Sequence, residues 1–163
     1  LLLLDLGARV EGYCADITRT YPIGGAYSPR QKEIYDIVLR ANRAVAEAAR
    51  PGVTLRELND LCKKVLAEGM MAIGKIQSAE EIGRYYMHGV SHHLGLDTHD
   101  CAVREDLGLR AGMVISDEPG LYIDEEEIGI RIEDDLLITD AGCRVLSEAI
   151  PRTTEEIEAL MAR

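Results

Sequence analysis

LLLLDLGARVEGYCADITRTY, residues 1–21, holds two apolar and β-branched runs on either side of Glu11-Gly12. Runs of that kind around a Gly-containing turn read as a β-hairpin, which commits this part of the sheet to antiparallel pairing. Asp5 and Asp16 each interrupt one run and lie nearly equidistant from the turn. The hairpin therefore predicts them opposite each other, side chains on one face, with Cβ atoms about 4.5–5.5 Å apart. Two carboxylates that close repel unless a proton or a cation intervenes. The plain alternative is that one of them faces solvent, since edge strands tolerate acids.

Helix signals follow Gly24-Gly25. Ser28, Pro29 and Gln31 make a capping box with proline at the first helical position, and Ile34, Val38, Ala41, Val45 and Ala48 recur on one face until Pro51-Gly52. Thr54 and Glu57 open a second helix carrying Leu58, Leu61, Val65 and Leu66, with Gly69 as its expected end; Ser78 and Glu81 suggest a short third. Strands are expected at 113–116, 121–123, 128–139 and 143–146. In the longest of these Ile128, Ile130 and Ile132 alternate with Gly129, Arg131 and Glu133, which puts Arg131 and Glu133 on one face. Thr153 and Glu156 cap a last helix with Ile157, Leu160 and Met161 on its apolar side. Strands, helices, strands and a helix in that order predict an α+β fold with a largely antiparallel sheet.

The 163 residues suit one domain, 1–163. A net charge of -11 repels phosphate backbones, so nucleic acid is a poor partner, and no apolar run approaches the roughly 18 residues of a membrane span. Leu1 to Leu4 lack a basic flank and a cleavage site, so they read as a buried strand and not as a signal peptide. Cys14, Cys62, Cys101 and Cys143 form no Cys-x-x-Cys pair and read as reduced thiols in a cytoplasmic protein.

Two further acids stand in strands. Glu118 ends an apolar run ahead of Pro119-Gly120, and Glu133 lies between Ile132 and Asp134; Glu125 to Glu127 read instead as a solvated run at a turn. All four histidines, His88, His92, His93 and His99, fall within twelve positions among glycines and apolar residues, like a site lining. Four carboxylates and one imidazole form an oxygen-rich set that suits manganese, cobalt, iron or zinc in an open catalytic site better than structural zinc. Four negative charges match two divalent cations. Two ions about 3.5–4 Å apart can hold a bridging water and make it a hydroxide near neutral pH, able to attack an amide carbonyl.

Asp5-Leu6-Gly7, Asp16 to Thr20, His88 to His92, Leu94 to Asp100, Glu118 to Tyr122 and Gly129 to Asp135, in this order, resemble the catalytic domain of Xaa-Pro aminopeptidase (aminopeptidase P). That group belongs to the pita-bread (M24) metallopeptidases, with prolidase and methionine aminopeptidase. The resemblance implies a pita-bread fold with two divalent ions, most often manganese. It implies Asp5 on one ion, Asp16 and Glu133 bridging, and His92 and Glu118 on the other, with Glu118 also the base. His88 and His99 would face the substrate, Arg131 would pair with a ligand carboxylate, and His93 would be no ligand. The implied reaction releases the N-terminal residue from a peptide with proline second. A serine between the histidines of His88-Gly89-Val90-Ser91-His92 is more like aminopeptidase P than prolidase.

The chain departs from that family in three ways. It begins close to the first expected ligand, where the family has preceding helices and strands. That would leave Leu1 to Leu4 an apolar edge prone to self-association into a homo-oligomer. Asp117 adds a carboxylate beside Glu118, where an apolar or hydroxyl residue is usual, which is expected to raise the pKa of Glu118 or weaken metal binding. Cys101 replaces a small apolar residue. The alternatives are a prolidase, a non-catalytic metal-binding fragment, and a relative of this fold that binds a partner and has lost catalysis.

Overall fold

A computed structural model describes residues 1–102 and 107–162. The opening segment is the expected hairpin: β1 (Leu2–Leu6) pairs antiparallel with β4 (Ile17–Tyr21), and β2 (Arg9–Val10) with β3 (Tyr13–Cys14). Glu11 and Gly12 form the turn with φ of 51° and 93°. Positive φ at both central residues gives the twist a two-residue hairpin needs, and glycine adopts it without a steric cost. One register runs the length of the hairpin, with Asp5 facing Thr18 and Arg9 facing Cys14. That register sets Asp16 across from Gly7. Asp5 and Asp16 are therefore diagonal neighbours on one face and not the directly opposed pair expected, because the turn is centred one residue later than that expectation assumed. Nor is the leucine run a buried strand. Among the described residues β1 is paired on one side only, and Leu2 and Leu6 are 46% and 65% exposed.

Helix α1 (Pro29–Ala48) begins at the Ser28–Gln31 capping box and buries Ile34, Val38, Ala41 and Val45 as the periodicity predicts, with Tyr35 and Ile37 beside them. Helix α2 (Leu55–Ala72) begins at the Thr54–Glu57 box and continues past Gly69, its expected end. A Cβ at Gly69 would lie 2.5 Å from Ile37 Cγ2, so the missing side chain permits the close crossing of α1 and α2 and is no stop signal. The short helix expected after Ser78 is a 3₁₀ turn, Ala79–Arg84.

The second half builds a longer hairpin. β5 (Val114–Asp117) pairs with β8 (Asp134–Ile138), β6 (Gly120–Ile123) with β7 (Ile128–Arg131), and β9 (Cys143–Val145) adds to β8. The strand expected over 128–139 is thus two, broken at Ile132-Glu133. Asp117 faces Asp134 and Gly120 faces Arg131, so one register spans the break and sets Glu118 across from Glu133. The Pro119 carbonyl accepts the Ile132 N–H at 3.2 Å, but proline has no N–H to return the bond, and the Glu133 N–H, on the other edge of the strand, donates to the Thr18 carbonyl at 3.0 Å. The acidic run sits at the hairpin turn as expected, in a 3₁₀ turn Asp124–Glu126. Residues 90–94 run beside β5, through Leu94 N–H to Val114 O (3.1 Å), Ser116 N–H to His92 O (3.0 Å) and Glu118 N–H to Val90 O (2.8 Å). Helix α3 (Thr154–Met161) buries Ile157, while Leu160 and Met161, expected on its apolar side, are exposed. The core lies between the helices and the long hairpin, where Val38, Leu66 and Met70 join Ile115, Leu121 and Ile130, all fully buried. The expected α+β architecture holds, and every strand pairing among the described residues is antiparallel.

Candidate metal centre

Both hairpins deliver carboxylates to one place. Ligand-type atoms of Asp5, Asp16 and Glu133 lie within 4.8 Å of one another, and so do those of His92, Glu118 and Glu133. The two groups share Glu133. A third, Asp16 with His92 and His99, closes the set. Strand alternation explains the membership. His92 lies across from Ser116 on β5, so its side chain falls on the face that Glu118 shares two residues on, while His93 takes the other face. His92 Nε2 is 3.4 Å from Asp16 Oδ2 and 3.5 Å from Glu118 Oε1. Its Nδ1 lies 3.0 Å from the His93 carbonyl, which fixes the proton there and leaves the Nε2 lone pair toward the acids.

Arg131 pairs with a carboxylate of the cluster, its Nη2 2.6 Å from Asp5 Oδ2. It also donates from Nε to Thr18 Oγ1 (3.2 Å) and from Nη1 to the Tyr122 hydroxyl (3.1 Å). Thr18 Oγ1 in turn donates to Glu133 Oε2 at 2.5 Å. Arg131 and Glu133 thus reach one hydroxyl from the same side, although the strand breaks between them. His88 Nε2 lies 2.8 Å from the Tyr122 hydroxyl and its Nδ1 2.8 Å from the Gly89 carbonyl and 4.0 Å from Glu118 Oε2. The exposed His99 ring stands edge-on to His92 at 4.4 Å.

The electrostatics are those of acids gathered without compensation. Burial, reinforced by Glu118, Asp16 and Asp5, pushes the Glu133 carboxyl up to about 8 despite the Thr18 hydrogen bond. Burial and the adjacent Asp5 raise Asp16 as well. Asp135, which accepts the Asp16 N–H, is pushed up to about 6, chiefly by burial. Four carboxylates and one imidazole lone pair, converging at such spacing, fit divalent cations of the harder and borderline kinds.

Asp117 stands on the opposite face of β5 from Glu118, although burial and the nearby acids, Glu118 among them, raise its carboxyl. Alternation turns its fully buried side chain to the far face, where Asn42 Nδ2 donates to its Oδ2 at 3.2 Å. Cys101 is an exposed free thiol. Sequence reasoning gave no role to Thr18, Ser116 or Tyr122. Ser116 Oγ accepts the His92 N–H (2.9 Å) and donates to Glu118 Oε1 (3.3 Å). A correct register count would have found Thr18, which faces Asp5; Tyr122 had no such signal.

The profile of metallopeptidase family M24 matches residues 1–140. The chain is 42% identical to Xaa-Pro aminopeptidase 1 of Streptomyces coelicolor over 99% of its own length and 38% of that protein. It is 40% identical to the Xaa-Pro aminopeptidase of Escherichia coli, again over 99% of this chain and 41% of that one. A Bacillus anthracis structure assigned to aminopeptidase P superposes with a TM-score of 0.96 at 56% identity, covering 98% of this chain and 38% of that one. The chain thus spans about two-fifths of the length of the relatives it matches. With the family profile over most of its residues and the pita-bread architecture in its superposition, the chain belongs to metallopeptidase family M24.

Proposed function

We propose that this chain is the metal-binding catalytic portion of a dinuclear aminopeptidase that hydrolyses the N-terminal Xaa-Pro bond of peptides. One observation carries the reading: two three-residue ligand groups share Glu133, the arrangement a pair of ions needs. Asp5 would hold one ion, Asp16 and Glu133 both, and His92 and Glu118 the other, with manganese the expected metal. Bound there, the ions supply Lewis acidity, polarising a carbonyl and lowering the pKa of water toward neutral.

The side chains divide the remaining work. Glu118 is the general base, facing the shared centre with Ser116 holding one oxygen and leaving the other free. His88 and His99 flank the ligands and are placed to steady the carbonyl oxygen or the leaving nitrogen. Arg131 fixes Asp5. The Xaa-Pro bond is a tertiary amide without an N–H, so peptidases that grip an extended backbone through that N–H handle it poorly. A centre that polarises the carbonyl directly has no such need. Four free cysteines support a reducing compartment, the cytoplasm.

Elemental analysis paired with a cleavage assay tests the reading. Two manganese or cobalt ions per chain and turnover of an Xaa-Pro-Xaa peptide are expected. Preference for an Xaa-Pro dipeptide would shift the assignment to prolidase. Metal bound without any turnover would favour a non-catalytic fragment, a second reading that rests on the two-fifths coverage of the relatives. Absence of metal at saturating concentration would defeat both.

A further inference from the structure

Arg19 is among the most deeply buried large side chains in the protein, 2% exposed, and touches no member of the ligand cluster with its own charge. A guanidinium there needs acceptors for its five N–H groups, and their identity is informative. Nη1 donates to the carbonyl of Glu133 at 2.6 Å and to that of Thr18 at 2.9 Å. Nη2 donates to Asp134 Oδ1 at 2.8 Å, and Nε to the Pro151 carbonyl at 2.8 Å. Ile132 N–H bonds the Pro119 carbonyl at 3.2 Å, so Glu133, the next residue, holds a non-hydrogen-bonded position opposite Glu118, and its carbonyl and N–H both need partners from outside β5 and β6. Both come from adjacent residues of β4: the N–H goes to the Thr18 carbonyl at 3.0 Å, and the carbonyl is taken by Arg19. The Thr18 hydroxyl then holds the carboxylate itself at 2.5 Å.

We propose that Arg19 is a positioning residue for Glu133, locking the backbone of the shared ligand to the strand that also supplies Asp16. This rests on the reading of Glu133 as a metal ligand. The guanidinium pairs with Asp134, whose Oδ1 also accepts the Ser147 hydroxyl at 2.5 Å and lies 3.5 Å from Arg152 Nη2, and with no carboxylate of the cluster. Arg19 therefore acts by geometry. Removing it frees the Glu133 carbonyl and lets the two hairpins shift against each other at the point where their carboxylates must share ions.

The test uses the full protein, stripped of metal and titrated with cobalt, read by calorimetry and by the visible absorption of the bound ion. Arg19→Met alone would leave the buried Asp134 charge to Arg152, 3.5 Å away, so Arg19→Met/Asp134→Asn is the main variant. Asp134→Asn with Arg19 intact is the control, and Arg19→Lys the conservative rescue. The double variant should melt cooperatively yet bind cobalt about 10–100-fold more weakly, the range typical of outer-sphere supports, with an altered absorption band. Arg19→Lys, able to reach one carbonyl, should recover part of the affinity. A folded double variant with wild-type affinity and band would overturn the inference, as would the same loss in Asp134→Asn alone. If the unsubstituted protein binds no cobalt, the metal-centre reading fails first, so the two failures are distinct.

Discussion

The first hairpin, β1 to β4, and the long one, β5 to β8, each keep a single register across a two-residue interruption, and each interruption holds acids of the carboxylate cluster. In the first, Gly7-Ala8 faces Ala15-Asp16, and a Cβ at Gly7 would fall 1.9 Å from the Ala15 carbonyl oxygen. In the second, Glu118-Pro119 faces Ile132-Glu133. Their surroundings differ. Ile115, Leu121, Ile130 and Leu136 of the long hairpin are fully buried, while Leu2, Leu6, Val10 and Tyr13 of the first are 46–69% exposed. Glu118 and Glu133 therefore stand on packed strands, with Ser116 and Thr18 holding their carboxylates, and Asp16 on β4 is buried as well, whereas Asp5, 47% exposed on the outer strand β1, is held by the Arg131 ion pair. The difference teaches that three of the four carboxylates are set by the protein's interior and the fourth by a tether.

Removing one ligand from each hairpin is the sharpest way to break that contrast. Glu133→Ala should abolish binding of both ions at micromolar metal, because the group with Asp5 and the group with Glu118 both include it, and the Asp16, His92 and His99 set that remains rests on an exposed imidazole. Asp5→Ala should leave one ion bound and weaken the second by more than the roughly 10–100-fold typical of outer-sphere changes. Elemental analysis after dialysis reads both. Equal stoichiometry in the two variants would erase the distinction. Within the long hairpin, Glu118→Gln keeps shape and removes the carboxylate proposed as the base. It should lower turnover of an Xaa-Pro-Xaa peptide by about 10²–10⁴ while the melting temperature of the metal-free protein stays put. Retained turnover would assign the proton to another group.

How much of this was legible depended on the kind of signal. Caps announce themselves in a few adjacent residues, so Ser28, Thr54 and Thr153 marked helix starts that the structure keeps. Strand breaks do not. Ile128 to Thr139 reads as one apolar alternation because the break at Glu133 comes from the partner strand, where Pro119 withdraws a donor, and from β4, whose Thr18 supplies an acceptor. Registers sit between these cases. The Glu11-Gly12 turn was readable, but its centre decides whether Asp16 faces Asp5 or Gly7, and composition does not give that centre. Apart from the family motif nothing in the sequence separates His92 from His93, whereas laying residues 90–94 beside β5 puts them on opposite faces. Supports such as buried Arg19 and half-buried Tyr122 leave no periodic trace, since what they hold, the carbonyls and Asp134 around Arg19 and the His88 and Arg131 side chains at the Tyr122 hydroxyl, is brought to them by other segments.

A subtler effect follows from the acids the long hairpin buries. Glu133 moves from 4.5 to about 8 and Asp135 from 3.8 to about 6 on folding. The metal-free native state then holds protons that the unfolded chain has released, and its stability falls as pH rises from about 4.5 to about 8. Below that window this contribution is fully present. Divalent ions take the place of those protons, so manganese should raise the melting temperature, the more so at higher pH. Saturation at 100 times Kd corresponds to about 2.7 kcal/mol. Melting curves from pH 5 to 8.5, with chelator and with manganese, read both slopes. A metal-free protein whose stability climbed over that range would mean that the centre is not short of positive charge.

The smallest effect tests the comparison where it is quietest. Leu6 and Leu136 are the same residue type, one in each hairpin, each a strand residue near a ligand. Leu136 is fully buried, so its truncation to alanine removes apolar contacts and leaves a cavity, costing about 2–5 kcal/mol. Leu6 is 65% exposed and has little to lose, so Leu6→Ala should change the stability of this chain by no more than about 0.5 kcal/mol. Urea denaturation of both variants measures the two costs on one scale. A substantial loss from Leu6→Ala would show that the outer face of β1 is covered in solution, by another copy of the chain or by further protein. Asp5 would then be held by packing after all, and the two hairpins would differ less than their exposure implies.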